Sequence, residues 1–501
     1  MSVADVDSQI GGETFVSSPR GPMLPVFLLV ALYAAIVYLP FLGSSRTLTR
    51  HEVSVTQPAL DVVRTGDWLV PQYLGRPWMH KPPLVIWMTA GLYAVTGFGE
   101  FVARLPAAVS AMALCLVVAV VAGRFFDRKT ALLAGLVQAT CVYAYMQGRL
   151  GEIDMTFGLL VTASQAVLAW HWGRGELKLP PWSAVLFHML VGLAVLAKGP
   201  LAVVLLGLTV LGFCWMRRSW QPLVAVLWTP AVLCSLVVGF GWYAAVILEL
   251  GHTAVESWQY SYVQRFLGHY HLEGKRPWFY LLAIPWLALP WTIVLVVGFR
   301  RLVKDVRRPD AYLDRFLWMW FVTGLVFLSI AGMRHAHYAI PILPPLSIWA
   351  ARLLAEDLAR RRKDTRYFCV GVFVVAPVLF WIVGGVVMPR RDHRQATVDF
   401  LQEWVPQVPA NEPLYLAGLA QSAVYPYVGR EFGYVNSLEE LRDALEEHRD
   451  RPLWVLTLRE HLAAGDALGL SLEELAGEPV QEDGPPERTH VLGRLVVRSS
   501  P

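Results

Sequence analysis

Eleven apolar runs, most of them near twenty residues long, follow one another between residues 22 and 388. An α-helix rises 1.5 Å per residue, so about 20 apolar residues carry it through the roughly 30 Å hydrocarbon core of a bilayer. The runs lie at 22–42, 105–123, 130–147, 156–172, 183–198, 199–216, 221–248, 278–299, 315–332, 338–355 and 367–388. They do not fit one soluble core, which stops growing at roughly 250–300 residues. The chain has 501 residues, of which 16% are charged, against about 25% in a soluble globular protein. The runs predict an all-α polytopic membrane protein of about 11–13 transmembrane helices. A further apolar stretch, 83–98, is short and flanked by polar motifs, and it reads as an interfacial or re-entrant helix.

Lysine and arginine set the orientation, because short loops rich in them stay on the cytoplasmic side. Five connections are basic: Arg124 to Lys129, Arg174 to Lys178, Arg217-Arg218, Arg300 to Arg308 and Arg360 to Arg366. If 83–98 does not span, all five share a side with the N-terminal segment 1–21, which reads as a disordered cytoplasmic tail. The transmembrane domain then covers 22–388, and 43–104 is its first outer loop. The other face displays that loop, the 148–155 connection, the 249–277 loop and the 333–337 turn. This predicts a multi-pass protein of the bacterial inner membrane with its polar clusters on the periplasmic side.

Residues 389–501 change character. Charge rises, and strand-like pieces at 413–418, 452–457 and 491–497 alternate with a helical piece from Ser437 to His448. Ser437 followed by Glu440 is a capping-box pattern. This reads as a small soluble α/β domain on the outer face. No basic stripe marks a polar domain, so nucleic acid is not an expected partner. The five cysteines lie inside apolar runs without close pairs and read as buried small hydrophobes.

Five outer-face clusters are candidates for chemistry. His51-Glu52 follows the first run: an interfacial solvated pair or a site. Lys81, in His80-Lys-Pro-Pro83, either snorkels to headgroups or offers a fixed cation to a phosphate. Asp67-Trp68 reads as a cap with an aromatic anchor. Gly148-Arg-Leu-Gly-Glu-Ile-Asp154 packs three charges into a very short connection. Intramembrane carboxylates default to function, though an Arg149–Asp154 ion pair fixing the turn is the plain alternative. The 255–278 loop holds Arg265, His269, His271 and Lys275. Arg334-His-Ala-His-Tyr338 precedes Pro341. Lys198, before Gly199-Pro200, is either a snorkelling lysine or part of a site. The His-x-His spacing could bind a divalent metal but lacks a carboxylate partner, so the ligand pattern does not support one, and no cofactor is certain. Trp258, Trp278 and Trp286 read as an interfacial aromatic belt. Carboxylates beside cations suit a reaction in which a hydroxyl loses its proton to a base and a phosphate departs against fixed positive charge.

In order and spacing, His51-Glu52, Gly66-Asp-Trp-Leu-Val-Pro71, His80-Lys-Pro-Pro-Leu84, Phe101-Val-Ala-Arg-Leu-Pro106, Asp154-Met155, Ala197-Lys-Gly-Pro200, Gln264-Arg-Phe266 and His337-Tyr-Ala-Ile-Pro341 resemble the aminoarabinose transferase and protein O-mannosyltransferase superfamily. The resemblance covers most of residues 22–355. It implies the C-type membrane glycosyltransferase fold. It also implies inverting transfer of a sugar from a polyprenyl-phosphate carrier, such as undecaprenyl phosphate, to a hydroxyl on a lipid, glycan or protein acceptor. The family opens its first outer loop with Asp-Glu; here His51-Glu52 stands in that place. The resemblance therefore gives the carboxylate role to Glu52, assisted by Asp154, with His51 as the other possible base. It gives carrier-phosphate contacts to Lys81, Arg265 and Tyr338, with Arg334 where many relatives have lysine. A transporter or flippase of a lipid-linked sugar is the alternative from another class, and a catalytically dead scaffold is a third reading.

Overall fold

The structure is a computed structural model. It describes residues 21–267, 276–419, 423–436, 438–448, 452–461, 470–478 and 489–497. The expected N-terminal tail (1–20), His269, His271, Lys275 and the expected helix cap Ser437 lie outside them.

The first part is helical: α1 (Leu24–Tyr38), α2 (Arg50–Thr65), then after a two-residue hairpin, β1 (Gln72–Tyr73) with β2 (Arg76–Pro77), come α3 (Leu84–Thr96), α4 (Glu100–Phe125), α5 (Arg128–Thr140), α6 (Val142–Gln147), α7 (Asp154–Trp172), α8 (Pro181–Lys198) and α9 (Leu201–Arg217). Among the described residues, five helices are long and apolar enough to cross a membrane: α4, α8, Val232–Leu250, Tyr312–Ile330 and Lys363–Arg390. Two bent pairs raise this to seven if each is one broken span. Phe279–Leu287 meets Thr292–Val306 at 112°, and Ala336–Ile342 meets Pro344–Ala359 at 59°. α1, α3 and α9 are shorter apolar helices. At 13 residues, α3 is only about 20 Å long.

Small residues decide how the bundle closes. α4 buries Ala103, Ala107, Ala108, Ala111, Ala119 and Ala122, so its backbone can approach α1, α5 and α7 closely. Large apolar side chains are left outside instead: Leu24, Leu28 and Leu32 on α1 and Val237 and Leu248 further on are all exposed, as expected of surface that meets lipid. All five cysteines are free, and all but Cys234 are buried.

The C-terminal part begins with helix Gln395–Trp404 and builds a five-stranded sheet in the order β4-β3-β5-β7-β6. Its strands are β3 (Leu414–Ala417), β4 (Gly433–Val435), β5 (Leu453–Leu458), β6 (Leu470–Gly477) and β7 (His490–Val497). β3 runs parallel to β4 and β5, while β7 is antiparallel to β5 and β6. With helix Leu438–Glu447 this is the expected α/β domain, and β4 and β6 are additions to the sequence reading. The domain is not a separate bead. Leu48, Val53, Ala59 and Tyr93 of segment 43–104 share one apolar cluster with Leu401, Tyr425, Tyr427 and Leu456. The Tyr427 hydroxyl accepts the Leu48 N–H at 2.8 Å and donates to Glu100 at 3.0 Å.

Candidate functional site: a half-apolar cavity above the bundle

A cavity of about 1320 Å³ opens where segment 43–104, the 148–155 connection and the segments near 260 and 335 converge. One wall is apolar: Leu201 and Val204 of α9, Phe266, and Phe327, Leu328 and Ala331 at the end of Tyr312–Ile330. The other is polar: Arg50, His51, Lys81, Glu152, Asp154, Lys198, His335, His337 and Tyr338 all face it. Ligand pockets of about 300–1,000 Å³ hold drug-sized molecules, so this space suits something larger, with an apolar tail and a charged head.

Each polar residue is aimed by local structure. Asp154 is the first residue of α7 and Lys198 the last of α8. The helix dipoles favour an anion at the one place and a cation at the other. The two form a buried ion pair. Lys198 Nζ also lies 4.4 Å from the centre of the Tyr338 ring. Tyr338 packs edge-on against His337, whose ring stacks on His335 at 5.2 Å. Lys81 Nζ donates to Ser54 Oγ at 3.2 Å, and His80 Nδ1 lies 3.0 Å from Ser261 Oγ. The loop carrying them is pinned by two indoles: Trp242 Nε1 donates to the Leu69 carbonyl and Trp258 Nε1 to the Met79 carbonyl. Trp258 is therefore a buried anchor rather than belt; Trp278 and Trp286 are about half exposed. The Asp67 carboxylate accepts the N–H groups of Leu69 and Val70, the capping role read from the sequence.

Two expected roles change. Arg149 does not pair with Asp154. Its guanidinium donates to the carbonyls of Tyr38 and Pro40, satisfying the open end of α1. Glu52 does not face the cavity. It is fully buried, with Oε1 bonded to Arg104 Nε at 2.8 Å and to the Gly151 N–H at 3.0 Å. Its Oε2 accepts the Thr49 N–H at 2.8 Å, completing the capping box of α2. Burial alone would push its carboxyl up, yet Arg104 and these hydrogen bonds hold it below the usual carboxylate range. Both oxygens are committed, so the geometry makes Glu52 a keystone and leaves the cavity to other carboxylates.

His51 faces the cavity, and burial, then Lys81 and Arg50, hold its imidazole below the ordinary range. Arg265 opens the short helix Arg265–Leu267; its side chain lies outside the described residues. Arg334 Nε donates to the Ser329 carbonyl at the end of its helix, and Arg334 is not among the described wall residues. Among the described residues no group of three or more His, Cys, Asp or Glu is placed to hold a metal ion.

Glu152 was passed over in the sequence reading. It sits in the Gly148–Asp154 turn, faces the cavity, and is pushed up to about 7 by burial and by Asp154, against the pull of Lys81. The only sequence signal was the third charge in that connection.

Comparison with known proteins agrees with this architecture. Residues 80–243 match the family described as dolichyl-phosphate-mannose-protein mannosyltransferase. The crystal structure of ArnT from Cupriavidus metallidurans bound to undecaprenyl phosphate superposes with a TM-score of 0.77 at 17% identity, covering 94% of this chain and 98% of that one. In fold and in sequence the chain is similar to members of the aminoarabinose transferase and protein O-mannosyltransferase superfamily. The undecaprenyl phosphate-α-4-amino-4-deoxy-L-arabinose arabinosyl transferase of Pseudomonas aeruginosa is 28% identical over 336 residues, which are 66% of this chain and 59% of that protein. The chain thus spans less than two thirds of that relative's length. The oligosaccharyltransferase of Archaeoglobus fulgidus shares the fold more distantly, with a TM-score of 0.56 at 11% identity over 89% of this chain and 70% of that one.

Proposed function

We propose that this chain is a membrane glycosyltransferase that moves a sugar from a polyprenyl-phosphate carrier to an acceptor hydroxyl on the periplasmic face. The observation that carries the reading is the division of the cavity. An apolar wall continuous with the bundle can take a prenyl tail, and Lys81 and Lys198 on the polar wall offer positive charge to its phosphate. Relatives named as undecaprenyl-phosphate sugar transferases, and a fold neighbour bound to undecaprenyl phosphate, support the same donor class. The basic loops support the orientation.

In the proposed step the acceptor O–H gives its proton to a cavity carboxylate and its oxygen bonds to the anomeric carbon. The bond from that carbon to the phosphate oxygen breaks, and its electron pair leaves with the polyprenyl phosphate. Displacement from the opposite face inverts the anomeric centre. The lysines stabilise the charge growing on the leaving phosphate, more strongly than in water because the site is half-buried.

The test is mass spectrometry of lipids that co-purify with the detergent-solubilised protein, beside Lys81→Ala. A polyprenyl phosphate or its glycosylated form, lost in the variant, is the expected result. Ordinary phospholipids alone in both would overturn the donor assignment. A glycosylated carrier that is flipped across vesicles but never consumed would favour the transporter reading instead.

A further inference from the structure

We propose that Glu152 is the group that takes the acceptor's proton, and that Glu52 serves the reaction only by positioning the turn that carries it. This rests on the transferase reading above and deepens it.

Gly148 and Gly151 leave no room for side chains: a Cβ on Gly148 would lie 2.6 Å from the Tyr38 ring, and one on Gly151 would lie 2.8 Å from the Ala103 carbonyl oxygen. The Gly151 N–H is tied to Glu52 Oε1, which is itself held by Arg104. The backbone immediately before Glu152 is thus fixed from α2 and α4 at once, and Asp154 is fixed two residues later by Lys198.

Among the carboxylates near the cavity the three acidic groups are then sorted by their partners. Glu52 is buried away with both oxygens bonded. Asp154 is bound to Lys198, which lowers its basicity. Glu152 faces the cavity and, among the described residues, makes no side-chain hydrogen bond or ion pair. The charges that bear on it come from four elements: Asp154 beside it, Glu52 on α2, Lys81 in the outer loop and Lys198 on α8. Arg50, His51 and His337 face the same cavity. Desolvation and the two neighbouring carboxylates outweigh the two lysines, so its carboxyl is raised to about 7. A base is most effective when its pKa lies near the working pH. A catalytic carboxylate with this history also costs the fold something. Its folded-state pKa lies above the unfolded value of about 4.3, so the folded chain holds the extra proton between about 4.3 and 7. Stability falls as pH rises through that window.

The experiment measures transfer of radiolabelled sugar from synthetic undecaprenyl-phosphate mannose, glucose and 4-aminoarabinose into an extract of envelope lipids, glycans and proteins, from pH 5 to 9. Wild-type rates should rise with pH around 7. Glu152→Gln should lower kcat by about 10²–10⁴-fold, flatten that rise, and leave undecaprenyl phosphate binding within about threefold. Glu152→Asp should fall between the two. Above pH 7 Glu152→Gln should unfold no earlier than wild type on heating, because it removes a half-buried charge. Wild-type turnover and pH profile retained in Glu152→Gln, or a pH-dependent rise lost only in His51→Ala, would overturn the assignment and leave the transferase reading standing. No transfer by wild type from any of the three donors, with no glycosylated carrier co-purifying, would overturn both.

Discussion

Two groups of charges lie toward opposite ends of helix Tyr312–Ile330, and they are built differently. At its first turn Asp314 meets Arg352 at 2.7 Å, and Arg352 reaches Asp305 at 2.9 Å. Nearby, Arg301 pairs with Asp357 at 3.0 Å. Each of these charges has an opposite partner. At the other end, Leu328 and Ala331 border the cavity, which Glu152, Lys81, Arg50 and several imidazoles also line. Ion pairs that satisfy one another fasten helices together. A carboxylate at a cavity wall with no side-chain hydrogen bond or ion pair among the described residues, as Glu152 is, is expensive to keep, and that expense is the signature of a site prepared for a ligand.

One buried pair, Glu52 with Arg104, fastens helices and also holds the turn beside the cavity. Glu52 and Arg104 are completely buried, and removing either leaves an uncompensated charge. Arg104→Ala should cost about 3–5 kcal/mol of stability, read as a large drop in thermal midpoint in detergent, and should abolish transfer by freeing the Gly151 turn. At the paired end, Arg352→Met should cost about 1.5–3 kcal/mol from lost charged hydrogen bonds, while carrier binding stays at wild-type strength. If it weakened carrier binding instead, the division between fastening and functional charges would fail. The smallest effect is expected at the join to the C-terminal domain. Tyr427→Phe removes two hydrogen bonds and should cost about 1–2 kcal/mol by denaturation, with kcat little changed.

Much of the bundle was legible because hydrocarbon imposes length and composition on whatever crosses it. Lys81, Asp154 and Tyr338 were legible through motif order, and the structure brings all three to one cavity. What was hidden depends on partners far apart in sequence. Nothing near Glu52 announces that Arg104, 52 residues on, will claim it. Glu152 looks like one more charge in a turn until the fold strips its water and sets Asp154 beside it. β6 was missed for another reason. Leu470-Ser-Leu-Glu-Glu-Leu-Ala-Gly477 is rich in helix formers, and only its antiparallel neighbour β7 makes it a strand. Arg149 shows the same dependence on distant partners: the alternative of a pair with nearby Asp154 gives way to the carbonyls of Tyr38 and Pro40.

The hydrogen bond from the Leu48 N–H to Tyr427 spans 379 positions. At about 5–20 residues per second of synthesis, the ribosome needs on the order of 20–75 s to travel from one to the other. Throughout that interval the cap of α2, which steadies Glu52 and through it the Gly151 turn, stands without its far support. The working pocket is therefore among the last parts of the molecule to be finished, although every described residue that lines it is made before Tyr427.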